Sequence, residues 1–302
     1  MQNHLKGIVY AAVTALLWGV LAIALKLIDQ EIDPVTISWF RFLLAFLILA
    51  GWQAVKQPES FRILVKPPLI LIIATLGLSW NYVGFMMGIH YTTPSNAQLF
   101  IQTGPILLTI GGIVFFKEKI TRIQITGFVI ALAGMAFFYR DQLLAFFDVQ
   151  QNYNLGVLHL MGAAVAWTLY ALLQKKLVTR FDVQSLNLFI FGLPVLLYLP
   201  FINPASLLNI SFTTWLLLMF AGLNTLLSYT FLAKSLQLIE AGKVSIIIIL
   251  NPIITFVSME VLTLMNVRWI GHERFSAFSI IGAILVIAGA ILVAKKSKPG
   301  SD

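Results

Sequence analysis

Long apolar stretches separated by short polar connections dominate this chain. A helix needs about 20 apolar residues to cross the hydrocarbon core of a bilayer, and stretches of that order occur ten times. The predicted membrane-spanning segments are residues 7–27, 35–55, 68–90, 95–116, 122–139, 155–177, 183–202, 213–237, 241–265 and 276–294. The pattern therefore predicts an all-α integral membrane protein with ten transmembrane helices.

Composition supports the same class. Hydrophobic residues make up 59% of the 302 residues and charged residues 11%, whereas soluble domains carry roughly 25% charged residues. Cysteine is absent, which excludes disulfides, thiolate nucleophiles and Cys-ligated metals. The net charge of +8 is distributed thinly over the loops, so the expected partner is a lipid bilayer and not a nucleic acid.

The positions of the cations predict the orientation. With ten alternating helices, fifteen of the twenty Lys and Arg residues fall on the side of the N-terminus. Lys26 and Arg41 lie within predicted spans, and only Arg140, Arg268 and Arg274 fall on the other side. Cytoplasmic loops of membrane proteins carry an excess of Lys and Arg. We therefore expect a multi-pass membrane protein with both termini in the cytoplasm.

The two halves of the chain, residues 1–145 and 150–298, repeat one another. Equivalent residues in the two halves are Gly7 and Gly156, Trp18 and Trp167, Lys26 and Lys175, Tyr82 and Tyr229, Pro105 and Pro252, and Gly134 and Gly289. Each half contains five predicted helices, an odd number, so the second half enters the membrane from the opposite side. Such an inverted 5+5 repeat is the architecture of alternating-access carriers.

Polar and aromatic residues recur at helical spacing inside several predicted spans. Large polar side chains within a membrane usually face the protein interior or a water-filled path. The candidate substrate-binding residues are Trp18, Asn81, Tyr82, Gln98, Gln102, Trp167, Tyr170, Asn224, Tyr229 and Asn251. The competing interpretation is that such residues only join neighbouring helices through hydrogen bonds.

Two prolines at equivalent positions are the candidate hinges. Pro105 and Pro252 lie in the middle of the fourth and ninth predicted spans. Each removes a backbone donor and bends its helix. We expect these bends to take part in switching between two accessible states, the alternative being a purely structural kink.

The order of these motifs resembles the drug/metabolite transporter superfamily, specifically its ten-helix EamA type. The matching residues are Trp18-Gly19, Lys26, Arg41-Phe42, Gly104-Pro105, Glu118, Gln124, Gly127 and Gly134, then Trp167, Lys175, Asn251-Pro252, Glu273, Gly282 and Gly289. The resemblance implies a central cavity formed by the first, third, fourth, sixth, eighth and ninth spans. It also suggests that Arg41 has a structural ion-pair role. An insertion at residues 253–272 departs from the internal repeat.

The predicted function is secondary transport of a small organic solute, an amino acid or related metabolite, by efflux through alternating access. Uptake or exchange of a nucleotide-like cofactor or another metabolite is the alternative, and a membrane scaffold or channel is the non-transport alternative. An enzyme is not expected, because the four histidines lack metal-ligand spacing and no nucleophile set is present. No cofactor or metal is predicted, and the protein could be a monomer or a homodimer.

Overall fold

The computed structural model of the chain describes residues 2–140, 151–265 and 276–294. Throughout these three ranges the regular structure is helical and no strand occurs. Eight helical segments are long and apolar enough to cross a bilayer, and two shorter apolar helices, Arg122–Phe138 and Ala277–Val293, accompany them. The protein is therefore an all-helical membrane protein, as the hydropathy pattern predicts.

The helices follow the predicted spans closely. The first half contains α1 (Gln2–Ile28), α2 (Pro34–Lys56), the short α3 (Arg62–Val65), α4 (Leu69–Tyr91), α5 (Pro94–Ile101), α6 (Thr103–Phe116) and α7 (Arg122–Phe138). The second contains α8 (Gln151–Leu177), α9 (Val183–Tyr198), α10 (Phe212–Leu238), α11 (Ala241–Ile248), α12 (Asn251–Leu264) and α13 (Ala277–Ala294). Most of the insertion's polar part, with Glu273, lies outside the described residues.

Local sequence signals set several helix ends. The Asp33 carboxylate accepts hydrogen bonds from the backbone N–H groups of Val35 (3.1 Å) and Thr36 (2.9 Å) at the start of α2. The Thr93 hydroxyl accepts one from the Asn96 N–H (3.2 Å) at the start of α5. These side chains satisfy N–H groups that have no partner inside the helix.

The fourth and ninth spans are each broken into two helices. The fourth changes from α5 to α6 at Gln102, whose N–H bonds to Leu99 O (3.2 Å), three residues back. The ninth changes from α11 to α12 at Ile249 and Leu250, where the Leu250 N–H bonds to Ile247 O (3.1 Å). Both breaks fall just before a proline, which cannot donate to the carbonyl four residues earlier.

Side-chain contacts show which helix ends lie together. The Ser235 hydroxyl at the end of α10 donates to Gly7 O near the start of α1 (2.8 Å). At the other end of α1, Glu31 accepts from the Ser211 N–H just before α10 (2.8 Å). The two helices therefore run antiparallel. We call the end where α1 begins the N-terminal end of the bundle, and the other the opposite end.

The main helix pairs join the two halves in equivalent ways. Helix α1 packs along α10, and α4 packs along α8. The Thr14 hydroxyl donates to Ser228 O (3.3 Å), while the Asn81 amide donates to Ala163 O (2.9 Å). These are corresponding positions, because Thr14 aligns with Ala163 and Asn81 with Ser228 in the internal repeat. The same crossing thus occurs twice.

The third such pair, α7 and α13, meets through glycines. A Cβ atom at Gly127 would lie 2.8 Å from Gly289 O, and one at Gly134 would lie 2.8 Å from Gly282 O. Small residues let membrane helices approach closely. The four glycines therefore bring two backbones of one chain together.

The Glu31 contact predicts a pH-dependent contribution to stability. Hydrogen bonds from the Ser211 N–H and the Thr214 hydroxyl lower the pKa of Glu31 below its ordinary value of 4.5. The folded state therefore gains stability from this group above pH 4.5, and loses it as the pH falls through the lower pKa of the folded protein. Glu31→Gln should lower the thermal unfolding temperature at pH 7 and have less effect as the pH approaches that lower value.

Thermal unfolding of detergent-purified protein between pH 7 and pH 4 measures this effect. Glu59→Gln, which changes an exposed carboxylate outside the long helices, is the matched control. A constant difference between Glu31→Gln and the wild type at all pH values would contradict the prediction.

Candidate functional site

A cavity lies near the middle of the bundle, between the two halves. It contains about 590 Å³ not occupied by protein atoms, including its open mouth. Helices α1, α2, α4, α5, α6, α8, α10, α11 and α12 contribute to its wall, together with Gln102 between α5 and α6. The two broken spans end their half-helices at this cavity, so irregular backbone lies beside a space that can hold water or solute.

Eight of the ten candidate substrate-binding residues share this cavity. They are Trp18, Asn81, Tyr82, Gln98, Gln102, Trp167, Tyr229 and Asn251, and the candidate hinge Pro105 lies beside them. These residues are far apart in sequence and come from both halves. The tertiary structure thus brings together side chains that were identified as candidates from the polar pattern of each span separately.

Three candidates lie outside the cavity wall. Tyr170 is fully buried, with its ring centroid 5.6 Å from that of Tyr229. The Asn224 amide donates to Leu17 O (2.7 Å), so it joins α10 to α1. Pro252 is buried at the start of α12. Asn224 follows the competing interpretation of a hydrogen bond between helices.

Aromatic rings from the two halves form one side of the cavity. The ring centroids of Trp18 and Trp167, an equivalent pair in the repeat, lie 5.9 Å apart with the planes nearly perpendicular. Tyr229 lies 5.4 Å from Trp18 and 5.7 Å from Tyr82. Such surfaces can pack against an apolar or aromatic body of a solute.

Several polar atoms of the cavity wall are buried without a hydrogen-bond partner. They are the amide oxygens of Gln98, Gln102 and Asn251 and the indole nitrogen of Trp167. The amide oxygens can accept hydrogen bonds, and the indole N–H can only donate one. A buried polar group without a partner is costly. These side chains can therefore form hydrogen bonds with water or with a polar solute in the cavity.

Sequence reasoning placed Arg41 outside the site, yet its side chain lines the cavity and is only 3% exposed. The ion pair suggested for it is not among those of the described residues. The other unpredicted lining residues are apolar: Leu21, Phe85, Ile101 and Ile248. The sequence of an apolar span does not distinguish cavity-lining apolar residues from those that face lipid. By contrast, the position of Arg41 deep within a span could have indicated that it lies at a functional site.

The two equivalent half-helices differ in burial. All eight residues of α11, at the N-terminal end, are buried. In α5, at the opposite end, only Ala97 and Gln98 are buried among the residues whose side chains are described. The bundle therefore closes more tightly around the half-helix at its N-terminal end.

An ion pair holds this closed end together. The Glu118 carboxylate, just after α6, lies 3.2 Å from Lys175 Nζ at the end of α8. It also accepts hydrogen bonds from the N–H groups of Ala241 (2.9 Å) and Gly242 (3.2 Å) at the start of α11. Lys175 donates in turn to Ile239 O (3.0 Å). One carboxylate from the first half thus fixes two helices of the second.

Metal ligands do not gather at the cavity. Within the described ranges, no three His, Asp or Glu side chains lie close enough together to hold a metal ion. The described residues that line the cavity include neither a carboxylate nor a histidine. The chemistry available there is hydrogen bonding, aromatic packing and the charge of Arg41.

Known proteins resemble this chain over nearly its whole length. The EamA-like transporter family matches residues 5–140 and 154–295, one match in each half. The uncharacterized inner membrane transporter YhbE of Escherichia coli K12 is 31% identical over 288 residues, which cover 94% of this chain and 90% of the relative. An uncharacterized transporter of Haemophilus influenzae is 30% identical over 295 residues, covering 97% and 96% of the two chains.

A solved crystal structure of a protein has the same fold, with a TM-score of 0.73 and 16% sequence identity over 95% of this chain and 96% of that one. The family match in both halves and the named relatives show that the protein is a membrane transporter. The chain belongs to the EamA-like transporter family of the drug/metabolite transporter superfamily. The family predicted from the motifs is confirmed.

Proposed function

We propose that the protein is a secondary transporter that exports a small organic solute, an amino acid or related metabolite, across the bacterial inner membrane. The observation that carries this proposal is the central cavity, whose aromatic and unpartnered polar groups come from both halves. Its lining of amides, aromatic rings and one cation suits a small amphipathic solute. Both termini lie in the cytoplasm in this proposal, which makes the N-terminal end of the bundle the cytoplasmic end.

The repeated crossings support alternating access as the transport mechanism in this proposal. The two halves are proposed to face opposite ways, which is supported by the equivalent α1–α10 and α4–α8 pairs. The closed cytoplasmic end and the less buried α5 at the opposite end correspond to one of the two states. The other state requires the Glu118–Lys175 contact to open, and the breaks before Pro105 and Pro252 supply flexible points for that movement.

Counterflow in proteoliposomes tests the proposal. Vesicles containing the purified protein are loaded with unlabelled amino acid, and entry of the same labelled amino acid is measured for each of the twenty amino acids. A carrier accelerates entry when the solute is present on the other side, whereas a channel does not. Absence of accelerated exchange for every amino acid would contradict amino-acid transport. Export is tested separately, by measuring whether cells expressing the protein lose preloaded labelled amino acid faster than cells without it.

Two substitutions in the cavity wall should remove transport without removing the fold. Trp167→Ala deletes an indole that is 5% exposed, and Gln98→Ala deletes an amide that is 1% exposed. We expect each to lower the exchange rate at least about tenfold, because a buried side chain that contacts ligand contributes on the order of 1.4 kcal/mol or more.

The matched control is Trp52→Ala, which deletes a Trp that is 49% exposed on α2. Size-exclusion profiles of all three variants establish whether they are folded. Wild-type exchange by both cavity variants would place the solute elsewhere.

A further inference from the structure

Arg41 is the one basic side chain in the described wall of the cavity. Its Nε–H donates to the Thr225 hydroxyl (3.2 Å), and its guanidinium carbon lies 4.3 Å from the centre of the Tyr82 ring. Tyr82 donates its own hydroxyl to the same Thr225 oxygen (3.2 Å). The guanidinium is therefore held in one place by an aromatic face and a shared hydroxyl.

Among the residues that the structure describes, no ion pair joins a carboxylate to this guanidinium. The ion pairs among the described residues join Glu118 to Lys175, Asp29 to His90 and Glu240 to Lys243. An arginine keeps its charge in proteins, and a buried charge without a partner is strongly unfavourable. A hydroxyl and a ring face offset only part of that cost. The Arg41 guanidinium in the cavity wall can therefore pair with an anion that enters the cavity.

Other side chains of the wall carry hydrogen-bond acceptors. The buried oxygens of Gln98, Gln102 and Asn251 lack hydrogen-bond partners and can accept N–H groups. They lie on the broken fourth and ninth spans, whereas Arg41 lies on α2. One cavity is therefore lined by a fixed cation and, on other helices, by amide side chains whose oxygens have no hydrogen-bond partner.

We propose that Arg41 binds the carboxylate of the transported solute, and that the amide oxygens accept hydrogen bonds from its amino group. The inference rests on the proposed function and narrows its substrate class to small amino-carboxylates. The planar guanidinium matches a carboxylate with two parallel hydrogen bonds. The aromatic rings and Phe85 pack against the remainder of the solute.

Matched sets of compounds test the proposal in the wild-type protein. The probes are the twenty amino acids, with phenethylamine and hydrocinnamate as relatives of phenylalanine, and isopentylamine and isocaproate as relatives of leucine. Binding is measured as thermal stabilisation of detergent-purified protein, because a ligand that binds the folded state raises its unfolding temperature. We expect amino acids to stabilise the protein most, their deaminated acids less, and the amines without a carboxylate not at all.

Substitutions at Arg41 and Thr225 then test whether the Arg41 guanidinium binds the carboxylate. Arg41→Gln should weaken binding of the best amino acid by roughly 10- to 100-fold, the range expected for hydrogen bonds to a charged group. Arg41→Lys keeps the charge and should retain part of the affinity. Thr225→Val removes the hydroxyl that positions Nε and should weaken binding less than Arg41→Gln. The Lys and Val variants keep the test decisive if Arg41→Gln does not fold.

Each outcome has one meaning. Stabilisation by amines equal to that by amino acids, or no stabilisation by any carboxylate, overturns the inference. Equal stabilisation by chloride alone also overturns it, because Arg41 would then bind an inorganic anion. If Arg41→Gln exchanges solute as fast as the wild type, Arg41 does not bind the solute carboxylate, and the proposed transport function still stands. If carboxylates bind in a way that depends on Arg41 but no solute crosses the membrane, the proposed transport function is wrong and the role of Arg41 in binding still stands.

Discussion

Gly134→Leu is expected to prevent most of the protein from reaching its folded state. A Cβ atom at this position would lie 2.7 Å from Val286 N and 2.8 Å from Gly282 O, both in the backbone of the facing helix. Backbone atoms cannot move aside as the end of a flexible side chain can, so α7 and α13 would have to separate. Overpacking of a tight interior contact costs about 1–3 kcal/mol or more, and membrane helix pairs depend on close approach.

The amount of monodisperse protein after detergent extraction measures this effect. Gly51→Leu is the matched control, because a Cβ atom at Gly51 meets no atom within 4 Å. Gly134→Leu should give a small fraction of the wild-type amount, and Gly51→Leu should give a similar amount to the wild type. Equal yields of the two variants would show that α7 and α13 do not pack through these glycines.

Glu118→Gln is expected to open the N-terminal end of the bundle. The carboxylate holds Lys175 and two backbone N–H groups of α11. A neutral amide loses the ion pair and part of the hydrogen bonding, and hydrogen bonds to charged groups contribute roughly 1.5–3 kcal/mol. A factor of ten in population corresponds to about 1.4 kcal/mol. The open state should therefore become at least about tenfold more populated.

A single cysteine reports this opening, because the natural chain has none. Ser245 is fully buried within α11, so a thiol reagent applied from the N-terminal side should modify Ser245→Cys slowly. Adding Glu118→Gln should raise that rate at least about tenfold. Glu240→Gln breaks a carboxylate–Lys243 contact at the same end, where the Glu240 side chain is 51% exposed, and should change the rate little. Equal rates with and without Glu118→Gln would show that this contact does not control access.

The helices could be predicted from sequence because their causes are local. Lipid requires apolar stretches of a fixed length, and Asp33 and Thr93 cap their helices through neighbouring backbone groups. The breaks before Pro105 and Pro252 likewise follow from the missing N–H of proline. These features need no knowledge of which helices become neighbours.

The site could be predicted only in part, because helical spacing does not reveal what a polar face meets. Asn224 and Gln98 are both amides on polar stripes, but Asn224 lies outside the cavity wall and donates to Leu17 O, whereas Gln98 lines the cavity. Arg41 was expected to pair with an acid, and the position of that acid depends on tertiary packing. Which polar residues line the cavity therefore depends on how the helices pack, and Asn81 both lines the cavity and joins two helices.

The crossings between halves have a consequence for biosynthesis. Helices α1, α4 and α7 each pack mainly along a helix of the second half. More than half of the chain is translated between the end of α1 and the start of its partner α10. Until then, the Gly7 and Leu17 carbonyls of α1 lack the Ser235 and Asn224 donors that later bond to them. A ribosome that stops after α7 would thus release three helices whose main neighbours have not yet been made.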